Sequence, residues 1–199
     1  MTNEMSSVVG LDEAGVGSLM GIMVAGAVIL PSAYENPGLN DSKKLTDKKR
    51  KILYEHIMEN AHVGIGVVTN EEIDELGLGH CRVLVFHRAL DALCDKGIEF
   101  DSIIVDGNLF KPYKKGDNSV PHSCIPKADA TVPCVSAASI IAKHYRDEEI
   151  LKLCAQDDVT STKYDWKKNK GYPAPKHLEG IKKHGIVKYH RKSYGPCKV

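Results

Sequence analysis

Neither a Cys-x-x-Cys pair nor any zinc-type spacing occurs in this chain, although it holds six cysteines. Scattered as they are, Cys81, Cys94, Cys124, Cys134, Cys154 and Cys197 read as reduced core residues rather than a disulfide framework. No cationic start leads into an apolar stretch of signal-peptide type, and no run approaches the ~18 apolar residues of a membrane span. These absences predict a cytoplasmic protein with no membrane partner. Internal repeats and low-complexity linkers are missing too. The 199 residues therefore read as one domain, 1–199, large enough to bury a proper core.

A charge of one sign is scarce in the total, +1, but the balance hides an asymmetry. From Thr160 to Val199 there are eleven Lys or Arg against Asp165 and Glu179, a net of +9, so the remainder carries −8. A basic segment on an acidic body suits a phosphate-rich partner, because neutralised phosphates release counterions. From charge alone, a solvated surface or a disordered tail fits equally well.

Ser7 to Gly17 organises what is present. Val8, Val9 and Leu11 read as a short buried strand that ends in two adjacent carboxylates, Asp12 and Glu13. Charged groups rarely sit beside a core strand unless paired or metal-bound. Gly15 and Gly17 then let the backbone turn sharply, and Gly21 to Leu30 reads as the returning strand of a hairpin. Taken alone, the acidic pair could simply cap that hairpin.

Further along, Asn36-Pro37-Gly38 marks a loop, and Thr46 caps a helix reaching about Asn60. His62 to Thr69 alternates as a third strand; Thr69 opens a short helix, and His80 to Asp95 a longer one. Ser102 to Val105 forms a fourth strand ending at Asp106, followed by a polar loop with Lys114 and Lys115. His122 to Pro126 makes a short fifth strand, leading to Asp129. A buried helix runs from about Ser136 to Cys154, an aromatic, basic loop from Tyr164 to Tyr172, and a last helix from His177 to His184. This order predicts an α/β protein with a mixed five-stranded sheet flanked by helices.

Asp12, Glu13, Asp106 and Asp129 all fall at the ends of core elements. If strands one and four lie side by side, Asp12 and Asp106 project from the same edge of the sheet. Clustered carboxylates repel in a low-dielectric site, which implies bound cations or raised pKa values. Oxygen-only ligands suit Mg²⁺ or Mn²⁺ and not zinc. Two such ions about 4 Å apart would serve phosphodiester hydrolysis. Asp147, after the apolar run of that helix, reads as an exposed helical residue paired with a neighbouring Lys or Arg; His177 and His190 read as structural or surface residues.

Several blocks occur here in the order found in ribonuclease HII. They are Asp12-Glu13-Ala14-Gly15-x-Gly17, Asn40-Asp41-Ser42-Lys43-Lys44-Leu45, Val105-Asp106-Gly107, Lys127-Ala128-Asp129, Ala137 to Lys143, Lys170-Gly171-Tyr172 and His190 to Tyr194. From about Val8 to Tyr194 the chain resembles that family, the type 2 ribonucleases H. Ala14, Val16 and the short lead before the first strand resemble type II rather than type III relatives, which carry Ser and Lys there and an added N-terminal domain. The resemblance implies an RNase H-like fold and cleavage of RNA in RNA–DNA hybrids and at single ribonucleotides in duplex DNA, without an evident protein partner. It implies that Asp12, Glu13, Asp106 and Asp129 hold two Mg²⁺ or Mn²⁺ ions. It further implies that Lys43 holds substrate phosphate, that Tyr172 stacks on the sugar at the junction, and that Gly15-Val16-Gly17 reads the 2′-hydroxyl through backbone groups. Asn40, Ser42, Lys143 and Lys170 join these as nucleic-acid contacts.

The chain departs from the family in two places. Gly-Val-Gly stands where the family usually has Gly-Arg-Gly, which removes a cation beside the acids. The sequence also stops five residues after Tyr194, where many relatives append further helices, so the basic tail is expected to grip the duplex. A DNA nuclease or resolvase of the same fold is the competing enzyme, and a hybrid-binding protein with weak catalysis is the alternative from another class.

Overall fold

A computed structural model describes residues 7–35, 38–39, 42 and 45–198. The loop read at Asn36-Pro37 and the contacts read at Asn40 and Lys43 lie outside the described residues. Strand β1 (Val8–Ala14) pairs antiparallel with β2 (Met23–Ile29), Gly10 opposite Val28 and Ala14 opposite Val24. β3 (His62–Val68) adds antiparallel to β2, and β4 (Ser102–Asp106) runs parallel to β1 on its other side. A separate hairpin, β5 (Lys114–Lys115) and β6 (Asn118–Ser119), precedes β7 (His122–Ile125), which closes the order β3-β2-β1-β4-β7. The expected five-stranded mixed sheet is present, with the β5–β6 hairpin inside the stretch read as loop.

The helices are α1 (Asp47–Asn60), α2 (Asn70–Leu76), α3 (Leu78–Cys94), α4 (Pro133–Gln156), α5 (Asp158–Lys163), α6 (Trp166–Asn169) and α7 (Pro175–His184). Local sequence sets their starts. The Thr46 hydroxyl accepts from Lys49 N–H, and Thr69 with Glu72 forms a reciprocal capping box. Pro133 occupies the first turn of α4, where its missing N–H is harmless, so this helix starts earlier than Ser136.

Strand alternation divides the core between two faces. Val9, Leu11, Met23, Ala25, Ile103 and Val105 pack with Phe86, Leu90 and Leu93 of α3. Each of those three α3 side chains is fully buried, worth ~1.5–3 kcal/mol apiece. On the opposite face Val28 meets Ala137, Ala138 and Ile141 of α4, with Leu53 and Ile57 of α1 beyond. Gly10 permits the close approach of α4, since a Cβ there would lie 2.3 Å from the Cys134 carbonyl carbon.

The basic segment is folded. Tyr164 and Trp166 are fully buried and stack at 4.9 Å between ring centroids. Asp165 and Lys170, both in the left-handed region, bracket α6 within the stretch read as loop. Asp147 pairs with a neighbouring Lys as expected but is not exposed. It is buried under α1, 2.8 Å from Lys143 and 3.6 Å from Arg50, because α4 carries it inward at the α1 contact. His177 and His190 are fully buried structural residues. All six cysteines are free thiols, and no helix among the described residues is long and apolar enough to cross a membrane.

Candidate active site

Asp12 and Asp106 come together through strand register. Leu11 lies opposite Val105 in the parallel β1–β4 pair, so the next residue on each strand is an acid. Both acids follow residues committed to the α3 face, and the period of two turns them toward α4. After β7, the Lys127 backbone enters the left-handed region and a single 3₁₀ turn, Ala128–Ala130, delivers Asp129. Ser136 Oγ ties that turn to α4 by donating to the Asp129 carbonyl at 2.6 Å. One carboxylate oxygen each of Asp12, Asp106 and Asp129 lies within 4.8 Å of the other two. Glu13, one residue on from Asp12, faces α3 instead and pairs with Arg82 at 2.8 Å.

Electrostatics within this group match its crowding. Burial, reinforced by repulsion from Glu13 and Asp106, pushes the Asp12 carboxyl up to about 8, against the Ser139 hydroxyl and Glu13 N–H bonds that favour its charged form. Burial also raises Glu13, with Asp106 adding to the shift and Arg82 opposing it. Asp106 Oδ1 is buried and has no hydrogen-bond partner among the described residues. An orphaned carboxylate oxygen beside two buried acids is a donor set for a hard divalent cation, and Mg²⁺ or Mn²⁺ fits it.

Asp12, Glu13 and Asp106 open onto a cleft of about 550 Å³ that Gly15, Val16, Gly17, Ser42, Arg82, Ser139, Lys143 and Tyr172 also line. Gly15 is required here. Its φ is +94°, and a Cβ would lie 2.2 Å from Arg146 Nε. The Lys143 ammonium pairs with Asp147 and sits 5.0 Å from the Tyr172 ring centroid. Ser42 is buried, its hydroxyl 2.9 Å from that of Ser139, whose own hydroxyl favours the charged form of Asp12. Ser42 thus contacts Ser139 while itself lining the cleft. Lys170 does not line the cleft. Its carbonyl accepts from Arg146, and its ammonium lies on the Lys167 carbonyl.

Sequence reasoning missed Arg82, Ser139, Arg146 and Arg191. Arg82 carried no signal, since its pairing with Glu13 spans 69 residues. Ser139 stood inside a recognisable block, but only the α4–β1 contact turns it toward Asp12.

Two neighbouring parallel strands carrying carboxylates beneath a cleft with a lysine and a tyrosine on its walls define a metal-dependent phosphodiester hydrolase of the ribonuclease H type. The family model for ribonuclease HII matches residues 9–197, and the chain belongs to that family. It is 46% identical over 193 residues to the ribonuclease HII of Christiangramia forsetii, covering 96% of this chain and 92% of that one. Similarity to the Bacteroides thetaiotaomicron ribonuclease HII is 42% identity over 186 residues, or 93% and 88% of the two chains. The crystal structure of ribonuclease H2 from Pyrococcus horikoshii shares the fold at a TM-score of 0.76 and 28% identity, covering 96% and 95%. An RNase HII of Archaeoglobus fulgidus, solved in complex with PCNA, is similar at 0.67 and 26%, covering 92% and 91%.

Proposed function

We propose that this chain cuts the RNA strand of RNA–DNA hybrids and the 5′ side of single ribonucleotides embedded in duplex DNA. Water attacks the phosphorus, leaving 5′-phosphate and 3′-hydroxyl ends. The observation that carries this reading is the Asp12–Asp106–Asp129 cluster, its oxygens within 4.8 Å of one another, with Asp12 and Asp106 opening onto a cleft walled by Lys143 and Tyr172. In this reading residues 1–199 work as one catalytic domain in the cytoplasm, without a required protein partner.

Asp12, Asp106 and Asp129 would hold the cations, with Glu13 joining them on leaving Arg82. When bound, two Mg²⁺ or Mn²⁺ ions supply an activated water and a counter-charge for the leaving oxygen. The chain's own residues bind and orient the substrate. Lys143 offers a cation to the phosphate backbone, and Tyr172 a flat face to the sugar. Amides of Gly15-Val16-Gly17 meet the 2′-hydroxyl, while Asn40, Lys43 and Lys170 add backbone contacts. Ser42 and Ser139 keep Asp12 oriented.

A labelled duplex with one embedded ribonucleotide, incubated with Mg²⁺ or Mn²⁺ and then with EDTA, tests this. Incision should fall on the 5′ side of the ribonucleotide and stop with EDTA. Equal cutting of all-DNA duplex would favour a resolvase-like nuclease, and binding without incision a hybrid-binding protein.

A further inference from the structure

Arg191 is fully buried and forms no ion pair among the described residues. Its donors go to neutral acceptors. Nη1 donates to the carbonyls of Gly15 at 2.7 Å and Val16 at 3.2 Å, and to the Tyr194 hydroxyl at 3.0 Å. Nε and Nη2 take the carbonyl of Gly21, and Nη2 also that of Ile22. The Tyr194 hydroxyl, accepting from Arg191, donates in turn to Val16 at 2.6 Å. Arg146, also fully buried, supports the same segment at Ser18 Oγ and at the carbonyls of Met20 and Ile22. A guanidinium buried without a carboxylate persists only if fixed dipoles solvate it, so the loop carbonyls are locked in place.

That lock has a directional consequence. A trans peptide unit is planar, with its N–H opposite its C=O. The Gly15 carbonyl held by Arg191 therefore aims Val16 N–H the other way, and the Val16 carbonyl held by Arg191 and Tyr194 does the same for Gly17 N–H. Neither amide has an acceptor among the described residues, and both residues line the cleft. We infer that Arg191 and Tyr194 are positioning residues that aim these two amides at the sugar oxygen. They thereby set discrimination between ribonucleotide and deoxyribonucleotide, an inference that rests on the substrate reading above.

The test compares the KM for a duplex with one ribonucleotide against the inhibition constant of its all-DNA counterpart, used as a competitor in Mg²⁺. In the wild type KM should lie well below that constant. Tyr194→Phe should raise KM threefold to tenfold toward it, leaving the competitor constant and the melting temperature nearly unchanged; Arg191→Lys should do so more strongly. If Arg191→Lys fails to fold, Tyr194→Phe alone decides. A folded Tyr194→Phe variant with the wild-type ratio overturns the inference. So does one in which both constants rise together, as a merely structural role would produce. Equal constants in the wild type would instead overturn the substrate reading, and the inference with it.

Discussion

The carboxylate of Glu13 lies 2.8 Å from the Arg82 guanidinium, on the opposite face of β1 from its neighbour Asp12. Adjacent acids on one strand thus meet different surroundings, Asp12 the Ser139 hydroxyl and Glu13 a cation. Arg82 both occupies a candidate ligand and places positive charge beside the cluster. Arg82→Ala should therefore tighten Mn²⁺ binding to the substrate-free protein severalfold, as read by titration calorimetry. It should also destabilise the fold by about 1–3 kcal/mol, because a buried carboxylate loses its partner. Unchanged Mn²⁺ affinity would separate Glu13 from the metal site.

Asp106 contributes the orphaned oxygen of the cluster. Asp106→Asn should abolish cleavage while leaving the fold and hybrid binding largely intact. Its melting temperature should hold or rise, since Asp12 and Glu13 each lose a repelling neighbour. Near wild-type cleavage by this variant would remove Asp106 from the site.

Much of this was legible in the sequence because the informative signals were local. The end of β4 at Asp106, the Thr46 and Thr69 caps, and the small residues of α4 each follow from a few neighbouring residues, although β1 runs past Asp12 to Ala14. The tail was less legible. Trp166 and Tyr164 are buried with Met20, Ile150 and Cys154 from other elements as well as against His177 and His190, so their stretch read as a basic loop. Asp147 misled for the same reason, since Arg50 reaches it from α1. Asp12 and Asp106 could be placed together only conditionally, because strand adjacency is a long-range property. Arg191 gave no sign of its role, as its acceptors are backbone carbonyls some 170 residues earlier.

The buried histidines should make the fold acid-sensitive. Val187 N–H donates to His190 Nδ1 at 3.0 Å, leaving Nε2–H to meet His177 Nε2 at 3.1 Å. His177 Nε2 also accepts from the Trp166 indole at 3.0 Å, and its Nδ1–H then donates to the Tyr172 carbonyl. Burial, with repulsion from His177, pushes His190 down to about 4. Against ~6.5 for an unfolded histidine, the neutral form is favoured in the fold. This contribution, about 3 kcal/mol, is complete above pH ~6.5 and is lost as pH falls toward 4. Trp166 is the only tryptophan and touches the pair, so its fluorescence can follow unfolding. His190→Gln should be less stable at pH 7 yet lose less between pH 6.5 and 4.5. Parallel stability curves for the two proteins would rule out His190 as the titrating group.

Val16 bears on rate rather than on the existence of activity. Its carbonyl is held by Tyr194 and Arg191, and its half-buried side chain packs against the core on the α3 side. Backbone amides survive a side-chain change, so the requirement for a ribonucleotide should persist. What Gly-Val-Gly lacks, relative to Gly-Arg-Gly, is a charge-assisted contact of the kind worth ~1.5–3 kcal/mol when well formed, roughly ten- to a hundred-fold. Val16→Arg should capture part of that and raise kcat/KM on the single-ribonucleotide duplex severalfold. An opposing effect is present, because a new cation near Asp12 and Asp106 weakens metal binding. Measuring kcat/KM across a Mn²⁺ titration separates the two. A gain at saturating metal supports the missing contact, whereas a loss that persists there means that Val16 is already the better residue for this cleft.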